Sequence, residues 1–251
     1  MDRKKITHAF EEYVSKYNLK EPNIYTKYVH TGRVAQNCEN IARSLNLSEE
    51  EVDIAWEIGM LHDIGRFEQL RRFDTFDDSK SIDHAKFGAD LLFEEGLIGQ
   101  FEEDFSIYPL VEKAIRCHSL YRLPADLTEQ ELMFCQIIRD ADKVDIYKSC
   151  YEAGLETVYH ATTEEVLNSE ITPEVYQVFC GETAIPKSIR KTVADHLVGH
   201  IALTFELVYP ESRELAVEQG YLKKMLEIKF DNPETMKTME AIKQRIMKKY
   251  F

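Results

Sequence analysis

Glycine and proline are scarce, 10 and 7 among 251 residues. A many-stranded β protein needs both at its turns, so their scarcity argues against that class and favours long helices. No run of about 18 apolar residues occurs, which leaves no candidate membrane span. The opening Met-Asp-Arg-Lys-Lys-Ile-Thr-His lacks the apolar stretch of a signal peptide, and a cytoplasmic location is expected. The five cysteines (Cys38, Cys117, Cys135, Cys150 and Cys180) are scattered with no CxxC pair, which fits free thiols in a reducing compartment. Positive charge is also short. Lys and Arg number 31 against 45 Asp and Glu, a net charge of -14. Such a chain repels a phosphate polyanion, so no extended nucleic acid is expected as a partner.

What remains is a globular balance, 44% hydrophobic and 30% charged, in a chain long enough for one large domain or a domain with an extension. Helix signals recur throughout. Ser48-Glu49-Glu50-Glu51 and Thr128-Glu129-Gln130-Glu131 have the capping-box form, and each opens an apolar run. Thr172-Pro173, Ile185-Pro186 and Asn232-Pro233 place proline where a first helical turn tolerates it. The spacing predicts helices near 26–46, 49–64, 82–95, 107–119, 129–153, 163–168, 173–180, 186–208, 211–228 and 233–249, with no strand alternation. The fold class expected is all-α. One multi-helix bundle spans residues 1–160, and a C-terminal helical extension over 161–251 packs on the same body. Between the predicted helices, residues 66–83 read as a charged, non-periodic connection carrying Arg66, Arg71, Arg72 and Lys80, a candidate anion clamp in an acidic chain.

Chemistry concentrates at His62-Asp63. The preceding segment is apolar nearly all round (Val52, Ile54, Ala55, Trp56, Ile58, Met60, Leu61), so the helix should be buried and deliver the doublet into the interior. A buried carboxylate needs a metal or a paired base to support it. Other polar groups share apolar helical stripes. His30 is in phase with Val34, Cys38, Ile41 and Leu45, and His84 with Phe87, Gly88 and Leu91. His118 follows Val111, Ala114 and Ile115, while Asp142 follows Cys135 and Ile138 and precedes Ile146. Imidazole and carboxylate together suit Mn, Fe, Zn, Ni or Co rather than Ca or Mg. His196 and His200 stand at i, i+4 spacing, but with no Glu between them and no partner cluster they read as structural.

These residues resemble the HD-domain superfamily of metal-dependent phosphohydrolases, whose pattern is an isolated His, an adjacent His-Asp and a later Asp. The matching segments are Tyr28-Val29-His30-Thr31-Gly32-Arg33-Val34, His62-Asp63-Ile64-Gly65-Arg66 and Arg139-Asp140-Ala141-Asp142-Lys143-Val144-Asp145, and the resemblance covers about residues 25–150. It implies an all-α HD-domain-like bundle in which His30, His62, Asp63 and Asp142 hold one divalent transition metal. His84 and His118 look like the histidines that some members use for a second ion, with Asp63 as the bridge. Asp140 is the alternative to Asp142, which is preferred because it matches the Ala-Asp of the family and lies on the clearer stripe.

The activity implied is hydrolysis of a nucleotide or other small phosphoester by metal-activated water. Asp63 would be catalytic; Arg66, a turn beyond His62, and Lys143, beside Asp142, would neutralise phosphoryl charge. Two rivals stay open: a di-iron, O2-dependent oxygenase with the same ligand set, and a non-catalytic nucleotide-binding sensor. No membrane partner is expected. The metal, one or two ions, the general acid, the substrate and any homo-oligomer are left open by the sequence.

Overall fold

The structure is a computed structural model that describes every residue except Glu103. Among the described residues every regular element is helical, and no helix is long and apolar enough to cross a membrane. The chain divides into two compact units, Met1–Asp142 and Lys143–Phe251.

The first unit contains α1 (Arg3–Val14), α2 (Pro22–Ser44), α3 (Glu49–Leu61), α4 (Ile64–Phe73), α5 (His84–Ala89), α6 (Tyr108–Cys117) and the first part of α7 (Glu129–Ala153). Helix α1 has no counterpart in the sequence-based assignment, although Asp2 caps it through the amides of Lys4 and Lys5. Its inward face, Ile6, Phe10, Tyr13 and Val14, packs by way of Phe10 against Tyr28 and Phe67. Helix α2 starts at Pro22, ahead of the expected 26, with Pro in the first turn and Glu21 capping the Ile24 amide. The capping box of α3 is formed by Ser48 and Glu51.

Residues 66–83 are not one long connection. The first half continues α4 to Phe73, Asp74 closes it in the left-handed region (φ 52°), and Asp78–Lys80 form a short 3-10 turn. The helix was illegible because its inward face is partly polar: Glu68 and Gln69 are buried beside Phe67. The supposed anion clamp is also largely spent. Arg71 and Arg72 both bind Glu68, and Lys80 pairs with Asp77.

Two glycines allow the close approaches that build the site. A Cβ on Gly59 of α3 would lie 2.6 Å from the Cα of Ala35 on α2. One on Gly65 of α4 would lie 2.6 Å from the His84 carbonyl oxygen and 2.7 Å from the Gly88 amide nitrogen on α5. A side chain at either place would push a helix end outward.

The second unit takes the remainder of α7 with α8 (Leu155–Tyr159), α9 (Thr163–Asn168), α10 (Pro173–Cys180), α11 (Val193–Ile201), α12 (Pro210–Glu218), α13 (Tyr221–Leu226) and α14 (Pro233–Tyr250). Its core includes Val144, Tyr147, Phe179, Leu197, Ile201, Met225 and Ile242. Because Val144 and Tyr147 already belong to this core, the division falls inside α7, whereas the sequence reading drew it near 160. The helix expected over 186–208 is broken into a 3-10 turn, α11 and a second 3-10 turn, because Asp195 accepts the Thr172 and Lys191 amides and Thr192 caps α11. The helix expected over 211–228 is broken at Gly220, whose φ is 71°.

Candidate metal centre

Helix ends in the first unit bring together side chains far apart in sequence. His62 is the C-cap of α3 and Asp63 the N-cap of α4; His84 opens α5 and His118 caps the end of α6. His30 projects from α2, and Asp142 from α7. The helix ends matter because side chains on separate axes can converge on one point there without their backbones colliding.

Asp63 stands at the middle, 2% exposed. Its Oδ2 lies 3.6 Å from both His30 Nε2 and His62 Nε2, and its Oδ1 lies 3.5 Å from His84 Nε2 and 3.7 Å from His118 Nε2. Asp142 Oδ1 is 3.2 Å from His30 Nε2 and 4.0 Å from His62 Nε2, joining the Oδ2 half. Two groups of ligand atoms, His30/His62/Asp63 and Asp63/His84/His118, each fall within 4.8 Å and share the Asp63 carboxylate.

The imidazoles present the right atoms. His62 Nδ1 pairs with the Gly59 carbonyl at 2.7 Å, His118 Nδ1 with the Ile115 carbonyl at 2.7 Å, and His84 Nδ1 with Asp78 Oδ2 at 2.6 Å. Each partner accepts, so each Nδ1 carries the proton and each Nε2 the lone pair, the assignment resting on those partners. His62 is fully buried, and its Nε2 has no hydrogen-bond partner among the described residues. The Nε2 atoms of His84 and His118 face each other at 3.1 Å, an arrangement that two lone pairs tolerate only with a proton or cation to share. The donor set therefore fits a divalent metal.

Electrostatics agree. Burial holds His62 neutral down to about 3 against the pull of Asp63, and burial likewise lowers His84 to about 4 despite its bond to Asp78. Burial by itself would raise Asp63, but the Lys27 ammonium and the surrounding imidazoles carry its carboxyl well below the usual range. Asp142, which burial alone would raise, is lowered by the neighbouring His30 imidazole. Neutral imidazole and ionised carboxylate are the protonation states that metal binding requires.

Arg66 Nε is 3.7 Å from Asp63 Oδ1. Lys143 is half-buried and follows Asp142 on α7. Asp140 is buried too, and Asp142 is the carboxylate at 3.2 Å from His30 Nε2 and 4.0 Å from His62 Nε2. His196 and His200 belong to the second unit. Tyr159 donates to His200 Nδ1 at 2.7 Å and stacks on both imidazoles, a packing role.

Two residues at the site escaped the sequence reading. Lys27 meets Asp63 Oδ2 at 2.6 Å, and the only hint was its place one turn before His30 on α2. Asp78 accepts from His84, from Arg66 Nη1 at 2.7 Å and from Gln69 Nε2 at 2.9 Å, and nothing in its sequence surroundings signals this. Burial would raise the Asp78 carboxyl, yet the His84 bond and the Arg66 charge hold it below the ordinary carboxylate range. Asp78 is thus a positioning residue, fixing the tautomer of His84. Asp78→Asn is expected to weaken metal affinity about 10- to 100-fold, read by titration against a competing chelator. An unchanged affinity would remove Asp78 from that role.

An all-helical fold with a buried His/Asp centre able to hold a divalent metal defines the class. Residues 28–147, a stretch that includes all six converging side chains, match the HD domain, found in a superfamily whose members are mostly metal-dependent hydrolases. Comparison with curated proteins and with solved structures gives no match.

Proposed function

We propose that the protein is a metal-dependent phosphohydrolase acting on a small phosphoester, with nucleotides the favoured class. The observation that carries this reading is Asp63, with one imidazole pair at each carboxylate oxygen inside an HD domain. His30, His62, Asp63 and Asp142 would hold one ion, and Asp63, His84 and His118 a second. A divalent transition metal there supplies Lewis acidity toward phosphoryl oxygens and lowers the pKa of water toward neutrality.

The chain's own residues contribute three things. Asp63 orders both halves of the donor set through its two oxygens. The Nδ1 bonds of His62, His84 and His118 keep their Nε2 lone pairs aimed inward. Lys27 and Arg66 place positive charge beside Asp63, a local exception in a chain of net charge -14 that draws an anionic substrate toward the centre.

The test is inorganic phosphate release from a panel of nucleotides and small phosphoesters, with added Mn or Fe and with Asp63→Asn as the contamination control. Release that needs both metal and Asp63 is expected. Oxygen consumption without phosphate release would replace this reading with the oxygenase one, and saturable nucleotide binding without turnover would replace it with the sensor.

A further inference from the structure

Arg66 and Lys143 are the cations that the sequence offers for the phosphoryl group, but Arg66 is tied down through its Nη1, although its buried Nε has no hydrogen-bond partner among the described residues. Its Nη1 donates to Gln69 Oε1 at 2.7 Å, to the Phe76 carbonyl at 2.8 Å and to Asp78 Oδ1 at 2.7 Å, and its side chain is 13% exposed. Those bonds hold the connection between α4 and α5 against α4. Moving the guanidinium onto a substrate would release that connection and with it the Asp78 partner of His84.

Lys27 is placed differently. The amine meets Asp63 Oδ2 at 2.6 Å, on the half of the centre where His30 and His62 approach the same oxygen, yet the side chain is 21% exposed where Asp63 is 3%. The Lys27 side chain is thus partly exposed while its ammonium reaches the buried Asp63, with the Phe76 ring 5.8 Å from Nζ. An ammonium carries three donors, and among the described residues the hydrogen bond it makes is the one to Asp63. Its flexible four-carbon stem lets it follow an anion over a short distance without disturbing a hydrogen-bond network, which the guanidinium of Arg66 cannot do.

We propose that Lys27 is the phosphoryl-binding cation of this centre, selecting substrates that present a phosphate dianion to the His30/His62 half. The proposal deepens the phosphohydrolase reading and rests on it. The competing account makes Lys27 a counter-charge that merely holds Asp63. In that case its removal would alter metal affinity and leave phosphate recognition untouched.

The experiment compares full-length wild type, Lys27→Met and Lys27→Arg, all Mn-loaded. Orthophosphate binding is measured by calorimetry, Mn affinity by chelator competition, and kcat and KM on the best phosphoester. Lys27→Met is expected to weaken orthophosphate binding about 10- to 100-fold, the range of one charge-assisted hydrogen bond, with Mn affinity held within a few-fold. KM should rise more than kcat falls, and Lys27→Arg should recover most of the loss. Equal phosphate affinity in Lys27→Met, a parallel collapse of Mn affinity, or no orthophosphate binding by wild type would each overturn the proposal. Lys27-dependent phosphate binding in a protein that hydrolyses no phosphoester would uphold Lys27 and reject the activity. Phosphoester hydrolysis indifferent to Lys27 would do the reverse.

Discussion

Asp63→Asn is expected to lower kcat/KM for the hydrolysed phosphoester by at least about 10³-fold, and to reduce bound metal in the same preparation. The size of the effect follows from position. Other donors approach one half of the centre, but the two Asp63 oxygens face four imidazole nitrogens, two each, at 3.5 to 3.7 Å. An amide keeps the shape and one weak oxygen donor, but it loses the charge that would offset divalent ions and the second anionic oxygen that joins the halves. The substitution also deprives the Lys27 ammonium of its carboxylate at 2.6 Å. Far-UV circular dichroism should show the helices retained. Metal analysis matching wild type, with phosphate release within about tenfold of it, would contradict the shared-carboxylate arrangement.

A second large effect is expected at Glu57, which makes none of the contacts of the centre. This α3 residue has no solvent exposure, and neither carboxylate oxygen has a hydrogen-bond partner among the described residues. Burial, with the charge of Glu102 adding to it, pushes the Glu57 carboxyl up to about 8. The folded protein thus favours the protonated form, whereas the unfolded chain ionises at an ordinary carboxyl pKa near 4.5. The stability contribution is complete below that lower value and is lost as pH rises through about 8. Each unit of difference is worth about 1.4 kcal/mol. Glu57→Gln should therefore gain on wild type by about 3 kcal/mol at pH 7, by much less at pH 5, and by a constant amount above pH 9. Urea unfolding of both proteins across that range reads the difference directly. Parallel stability curves would mean that Glu57 ionises at no cost in the fold.

Glu57 also illustrates why part of the molecule was illegible. The apolar run from Val52 to Leu61 marks α3 as buried, but periodicity says nothing about one carboxylate carried inside among apolar neighbours. The same limit hid α4, where Gln69 faces inward because Asp78, Ser81 and the Ile82 carbonyl accept its amide. Those partners arrive from a later segment, so no local pattern could announce them. Helix α1 was missed for a related reason, since its short apolar face is justified only by Phe67 and Tyr28 across from it.

The sequence by itself determined the all-α class, because sparse glycine and proline with repeated caps leave little else for an apolar pattern of this period. It also determined which residues were candidates for the centre, because polar groups on apolar stripes must be carried inward with their neighbours. Only the tertiary structure decided how they meet. The close approaches at Gly59 and Gly65 join helices that are separate in sequence, and the hydrogen bonds to Gly59, Ile115 and Asp78 select the imidazole tautomers. Tertiary contacts likewise tied Arg66 to Asp78 and brought Lys27 to Asp63. Such contacts depend on angles and distances between elements, which helical spacing along one chain does not encode.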